Sequence, residues 1–208
     1  MGHRLLKPIH GKGEIRKMPP TRSPFPTSRT AVLIIDAINP LDFPGGKAFA
    51  KRAIRPARAI ARLAERARKA GIPVVFVNDN FGRWRSDLKS LIEFVDQPTC
   101  AGRRLLEWLK PEDEDFVVLK STLSAFHQTP LEAMLRQGNV KTVIFTGFVT
   151  GNCVLFSAVD AYMRDFKIVV ASDCVRDQTD EEHRNALKKM ADVLKARITD
   201  SRHVSLRR

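Results

Sequence analysis

The chain is poor in the residues that build disulfide scaffolds, histidine-rich metal sites and aromatic binding platforms. Its 208 residues include three cysteines, Cys100, Cys153 and Cys174, an odd number without paired spacing. That excludes a regular disulfide framework or a Cys-pair metal or redox motif, and it fits reduced thiols in a cytoplasm. No apolar run approaches the roughly 20 residues of a membrane span. The N-terminus has no secretory apolar stretch either, so a cytoplasmic protein with no membrane partner is expected. Of the five histidines, none lies between His10 and His127. Aromatics are only 7% of the chain, too few to suggest a base-stacking surface.

Positive charge, by contrast, is abundant, with a formal net charge of +13. Residues 1–30 hold seven Lys or Arg, one Glu and five prolines. They read as an extended basic arm over 1–28, preceding a single domain over 29–208. A second concentration recurs every three or four residues at Lys51, Arg55, Arg58, Arg62, Arg66 and Lys69, the polar side of a helix whose buried side is Ile54, Ala57, Ala61 and Ala64. Its plain meaning is a solvated face, and its functional alternative is contact with a phosphate backbone or anionic surface. Without a recognition motif, nucleic acid is expected to bind at most non-specifically.

Apolar residues make up 43% of the chain, enough for one sizeable core. Short apolar runs predict strands near 31–36, 73–78, 115–119, 141–147 and 167–171, with a short sixth at 197–199. Helical patterns fill the gaps, near 51–70, 88–109 with a break at Pro98, 130–137, 152–165 and 180–195. Alternation of this kind predicts an α/β fold: a doubly wound, mainly parallel six-stranded sheet with helices on both faces.

The chemistry concentrates where strands are predicted to end. Cys153 follows the run Val143, Ile144, Phe145 and precedes a helical pattern, so its thiol sits at a strand-to-helix turn. A helix N-terminus offers unpaired N–H groups and a positive dipole end, which predicts a thiol pKa below the reference of about 8.5. The simpler alternative is a small core hydrophobe. Asp36 follows the run 31–35 and Lys120 the run 116–119. Singly, each has an ordinary reading as a turn former or a solvated charge. Ligands bind beyond the carboxyl ends of parallel strands, so the three can converge as an acid, a cation and a nucleophile.

Three segments carry a resemblance: Leu33 to Phe43 (LIIDAINPLDF), Leu119 to Gly138 (LKSTLSAFHQTPLEAMLRQG) and Thr146 to Ala161 (TGFVTGNCVLFSAVDA). From about Arg29 to Asp200 the chain resembles the isochorismatase-like cysteine hydrolases, a superfamily that includes nicotinamidases, carbamoylsarcosine amidases and ureidoacrylate amidohydrolases. The resemblance implies Asp36, Lys120 and Cys153 as catalytic triad. It also implies a cis peptide between Phe148 and Val149, aiming the Val149 N–H inward beside that of Cys153 as an oxyanion hole. A homo-oligomer, dimer or tetramer, is implied as well.

Departures from the family pattern refine the expectation. Nicotinamidases carry an aspartate and two histidines after the second strand that bind a divalent metal. Here the stretch reads Asn78-Asp79-Asn80-Phe81-Gly82-Arg83-Trp84-Arg85, and only Asp79 matches. No metal and no cofactor are therefore expected. Ile38 stands where the family often has glutamine. The expected substrate-binding residues are Phe43, Asn80, Trp84, Arg85 and Phe126, with an arginine able to grip a carboxylate and Trp84 able to stack on a flat group. The function implied is a cysteine hydrolase that cleaves the C–N bond of a small amide or carbamoyl-type substrate through a thioester. The alternative is a basic binding or scaffold protein on the same fold with little turnover. A thiol-redox role is disfavoured because no resolving partner is evident in the sequence.

Overall fold

The computed structural model describes residues 25–85 and 87–208; the expected basic arm lies outside the described residues up to residue 24. From Phe25 the chain is packed. The Phe25 ring lies 4.7 Å from that of Phe116, and the Ser28 N–H donates to the Gly138 carbonyl at 2.9 Å.

Six strands form one parallel sheet: β1 (Thr30–Ile35), β2 (Val74–Asp79), β3 (Phe116–Lys120), β4 (Thr142–Phe148), β5 (Lys167–Arg176) and β6 (Arg197–Thr199), in the order β3-β2-β1-β4-β5-β6. β1 reads Thr-Ala-Val-Leu-Ile-Ile and is buried throughout, as a central strand covered on both faces must be. Alternation divides its side chains between two cores. Val32 and Ile34 join Phe76, Ile60 and Leu63 on the side of α1 (Gly46–Lys69), α2 (Leu88–Val95) and α3 (Leu106–Leu109). Leu33 and Ile35 join Phe145, Leu131, Ala158 and Met190 on the side of α4 (Leu131–Gln137), α5 (Leu155–Tyr162) and α6 (Asp180–Leu194). Each such aliphatic side chain taken fully from water contributes about 1.5–3 kcal/mol.

The expected elements are present with shifted ends. α1 starts at Gly46 rather than 51, because Gly45 at φ +87° turns the chain into the helix five residues early. The helix expected at 88–109 with a break at Pro98 is divided there: α2 ends at Val95, and a 3-10 turn at Ala101–Leu105 leads into α3. β5 runs on to Arg176, and its register with β4 shifts between the pairs Phe145–Val170 and Gly147–Val175. The helix expected at 152–165 is replaced at its start by a π-type turn, Thr150–Val154, and regular α-helix begins only at Leu155.

Candidate active site

In this strand order the connections reverse direction between β1 and β4, so their loops diverge to opposite faces and open a crevice at the carboxyl ends. Asp36 leaves β1 there and Cys153 follows β4. Gly147 lets these strands lie together: its φ is +108°, and a Cβ would fall 2.0 Å from the Ile35 carbonyl oxygen. Asp36 also has positive φ, +48°, a region that costs a non-glycine residue of order 1–3 kcal/mol. Two bonds hold it in place. Its N–H donates to the Val77 carbonyl at 2.8 Å, and its Oδ1 accepts the Asp79 N–H at 2.7 Å.

Lys120 reaches across β2 to join the other two groups. Its Nζ lies 2.8 Å from Asp36 Oδ2, 3.6 Å from Cys153 Sγ, 3.5 Å from Asp79 Oδ2 and 3.0 Å from the Thr122 carbonyl. The side chain of Lys120 is fully buried and that of Asp36 nearly so, while Cys153 keeps partial access to solvent. The three residues expected from the sequence are therefore brought together, with the ammonium between the acid and the thiol.

The electrostatics correct one expectation. Burial raises the Asp36 pKa above the ordinary carboxylate value, although Lys120 opposes it. Burial works against the charge on Lys120 too, but Asp36, Cys153 and Asp79 outweigh it and keep the ammonium protonated. The Cys153 thiol is pushed up to about 12, first by burial and then by the Asp36 carboxylate, with Lys120 opposing. The expected acidic thiol is not found in the resting site. The helix start that was to supply its positive field is displaced to Leu155, and the nearest carboxylate holds the proton on sulfur.

The turn bearing Cys153 is tied on several sides. The Phe148–Val149 peptide is cis, and the Val149 N–H has no acceptor among the described residues. The Val149 carbonyl accepts from Asn152 and Val154. The Gly151 N–H donates to Asp177 Oδ2 at 2.5 Å, and Thr150 Oγ1 shares a 2.9 Å hydrogen bond with His183 Nδ1. Burial and the nearby Arg176 depress the His183 pKa. Ser157 Oγ donates to the Cys153 carbonyl at 2.5 Å and accepts the Ala125 N–H at 2.9 Å, linking the turn to the loop after β3. On the opposite wall, Asn78 clasps Ile38: its Nδ2 donates to the Ile38 carbonyl at 2.6 Å, and its Oδ1 accepts the Ile38 N–H at 3.3 Å.

The expected substrate-binding residues divide. Phe43 is half-buried beside Phe49 on the loop after β1. Asn80 is buried, and its Oδ1 accepts the Gly82 N–H at 2.9 Å, which makes it a turn former. Trp84 is 79% exposed and Arg85 is exposed beside it, so neither forms a pocket wall in this chain. Arg83 stacks over the Phe94 ring at 3.8 Å. Phe126 does not face the crevice: it is 4% exposed within the second core, 5.9 Å from the Phe166 ring. Expected as a substrate contact, it packs in the core instead. Asp79 is the residue of the metal-type loop that does reach the site, where it pairs with Lys120. Among the described residues, no group of three or more His, Cys, Asp or Glu side chains is placed to hold a metal ion. Asp177, Ser157 and Asn78 escaped the sequence reading, since a short polar side chain gives no sign of a distant partner.

An isochorismatase domain model matches residues 30–202. An uncharacterized isochorismatase family protein of Bacillus subtilis is 35% identical over 177 residues, covering 84% of this chain and 95% of that protein. A maleamate amidohydrolase of Pseudomonas putida is 28% identical over 163 residues, covering 74% and 76%. Among solved structures, a cysteine hydrolase from Pseudomonas syringae pv. phaseolicola superposes with a TM-score of 0.68 at 25% identity, covering 89% of this chain and 95% of that one. With the strand order, the strand-end residues and the domain match in agreement, the chain belongs to the isochorismatase family of hydrolases.

Proposed function

We propose that this hydrolase cleaves the C–N bond of a small amide or carbamoyl-type substrate, with Cys153 as nucleophile and without a metal. The observation that carries the reading is the buried Lys120 ammonium, within 2.8 Å of Asp36 and 3.6 Å of Cys153. In the first half-reaction Asp36 accepts the thiol proton as sulfur attacks the carbonyl carbon. Negative charge moves to the carbonyl oxygen, toward the N–H groups of Val149 and Cys153, donors fixed before reaction. Collapse breaks the C–N bond, and the leaving nitrogen takes the proton from Asp36. A thioester remains on Cys153. In the second half-reaction Asp36 accepts a proton from water, hydroxide attacks the thioester carbonyl, and sulfur leaves and recovers the proton. Lys120 stays protonated throughout and offsets the buried negative charge as it passes between carboxylate and sulfur.

Relatives named for the hydrolysis of an amide and as a cysteine hydrolase support the reaction class. Phe43, beside the crevice on the β1 loop, is the expected contact for an apolar part of the substrate. The test is a panel of small amides and carbamoyl compounds assayed for ammonia release, with mass spectrometry of acid-quenched protein to trap the acyl adduct. An adduct on Cys153, with turnover unchanged after exhaustive chelation, supports the reading. Turnover that needs an added divalent ion would sink the metal-free mechanism, and absence of any adduct or turnover across the panel would favour the scaffold alternative.

A further inference from the structure

The outer face of α1 breaks the usual electrostatic rules for a helix. Nine basic residues, Lys47, Lys51, Arg52, Arg55, Arg58, Arg62, Arg66, Arg68 and Lys69, share it with one acid, Glu65. Lys47 stands in the first turn, where the positive end of the dipole disfavours a cation, and no acidic residue is there to offset it. Like charges three or four residues apart, as at Lys47, Lys51, Arg55, Arg58 and Arg62, each cost a few tenths of a kcal/mol. Some of the helix cations have internal partners: Arg68 pairs with Asp115 and Glu112, Lys69 pairs with Glu65, and Arg66 donates to the Ser201 and Val204 carbonyls. Lys47, Lys51, Arg55, Arg58 and Arg62 form no ion pair with any described residue.

From Lys47 to Arg62 these five cations span about 22 Å along the helix at 1.5 Å per residue. Beside Arg58 and Arg62 lies a cleft of about 380 Å³, also lined by Lys110 and Trp108, with the Arg58 guanidinium 4.8 Å from the centre of the Trp108 ring. Its two carboxylates, Glu65 and Glu112, are already paired with Lys69 and Arg68. A second copy meeting this face with its own α1 would bring like charge against it. A membrane-surface helix would carry large apolar residues at its border, and none of the exposed large hydrophobics lies on α1. A regular polyanion with flat bases fits best, because guanidinium forks grip phosphate oxygens and an aromatic ring stacks on any base.

We propose that α1 and the adjoining Trp108 cleft form a sequence-independent binding surface for the phosphate backbone of nucleic acid, separate from the hydrolase crevice. The length of the stripe matches about six phosphates of one strand at 3.4 Å each.

The test is fluorescence anisotropy of the full chain with a labelled 30-nucleotide single strand and its duplex, over a range of salt. The expected result is similar affinity for unrelated sequences and a steep loss with salt, about 0.9 in log K per log salt for each phosphate neutralised on duplex. The triple variant Arg55→Gln, Arg58→Gln, Arg62→Gln should flatten that slope by about 2.7 and weaken binding more than tenfold at low salt. It should also keep the wild-type circular dichroism and hydrolase turnover, and melt no lower than wild type. Removal of three cations elsewhere, Lys167→Gln, Lys189→Gln, Arg197→Gln, should leave most of the binding. Equal loss in the two triple variants would reduce the effect to net charge and overturn the assignment. So would loss seen only when Arg4, Lys7 and Lys12 are replaced, or tighter binding to phosphatidylserine vesicles than to nucleic acid at equal phosphate.

Discussion

Cys153 and Cys174 are two thiols in almost the same electrostatic surroundings with different prospects. Each is raised first by burial and then by a neighbouring aspartate, Asp36 for Cys153 and Asp173 for Cys174. At the turn after β4, the aspartate is balanced by Lys120 and Cys153 is partly exposed. Near the end of β5, Asp173 is occupied by Ser201, whose N–H donates at 2.6 Å and whose hydroxyl donates at 2.7 Å, and Cys174 is sealed in the core. For the mechanism proposed above, an acid beside a buried thiol is thus insufficient. What distinguishes Cys153 is a cation that can hold the charge once the proton moves, together with a route for a substrate.

The largest expected difference lies between the two alanine variants. Cys153→Ala should abolish turnover, a loss on the order of 10⁶-fold if the residue acts as nucleophile, while its melting temperature stays near that of wild type. Cys174→Ala should keep turnover and lose about 1–2 kcal/mol of stability in urea denaturation. Comparable turnover in the Cys153→Ala protein would erase the distinction.

Next comes the cation. Lys120→Met leaves Asp36 buried without its counter-cation, which should cost about 3–5 kcal/mol and all measurable turnover. Adding Asp36→Asn to that variant should recover much of the stability and none of the turnover, because the buried charge is gone but so is the base. A double variant no more stable than Lys120→Met alone would show that the pair matters through packing rather than charge.

A third contrast is in pH dependence. Asp36 has a raised pKa, so its ionisation is harder in the folded than in the unfolded chain. Its contribution to stability is complete below the unfolded value near 3.8 and is lost as pH rises through the folded value. Turnover should climb over that same rise, as the base is freed. Lys120 is also raised, so its contribution is intact below about 10.5 and is lost only above that. Asp36→Asn removes a cause of the high Cys153 pKa. Alkylation by iodoacetamide should then show the Cys153 midpoint falling below 12, even as turnover disappears. A midpoint that does not move would mean that burial alone sets the thiol.

The comparison also shows what the sequence could and could not reveal. Asp36, Lys120 and Cys153 were legible because each closes an apolar run, and a parallel sheet gathers such ends on one side. The six strands were legible for the same reason: β-branched runs between amphipathic segments have few other stable arrangements. The direction of the thiol shift was not legible. It depends on burial and on a carboxylate brought in by the strand order, whereas the local sequence suggested only a helix start. Trp84 and Phe126, both expected as substrate contacts, lie at opposite extremes of burial for a related reason. A tryptophan in a polar turn has too few neighbours to be covered, and a phenylalanine preceded by Ala125 is drawn into the core. Asp177, which holds the Gly151 amide in the Cys153 turn, carries no sequence signal, because its partner lies across the β4–β5 register shift.

That aspartate gives a smaller effect on the Cys153 side. Asp177→Ala would leave the Gly151 N–H without its acceptor, at a cost of about 1–3 kcal/mol. Displacement of the turn should lower turnover by as much as about 10²-fold, the scale of an ångström of misplacement. Asp177→Asn retains an acceptor oxygen and should restore most of the turnover. Failure of asparagine to rescue would point to the carboxylate charge rather than to its bond with Gly151.

The smallest effect belongs to the Cys174 side and defines what a structural site looks like. Ser201→Ala removes the hydroxyl that donates to Asp173 at 2.7 Å but keeps the backbone N–H at 2.6 Å, so one of the two bonds between Ser201 and Asp173 survives. The expected cost is about 0.5–1.5 kcal/mol in urea denaturation. The Ser201 hydrogen bond also works against the raised Cys174 pKa, so its loss should leave that thiol even less reactive. Alkylation of folded protein should therefore still fail at Cys174, and turnover should match wild type, because nothing in this pair touches the crevice. A Ser201→Ala protein with reduced turnover would connect the end of β5 to the Cys153 turn. The two aspartate–thiol pairs would then be coupled parts of one site, and the division between nucleophile and core cysteine would have to be redrawn.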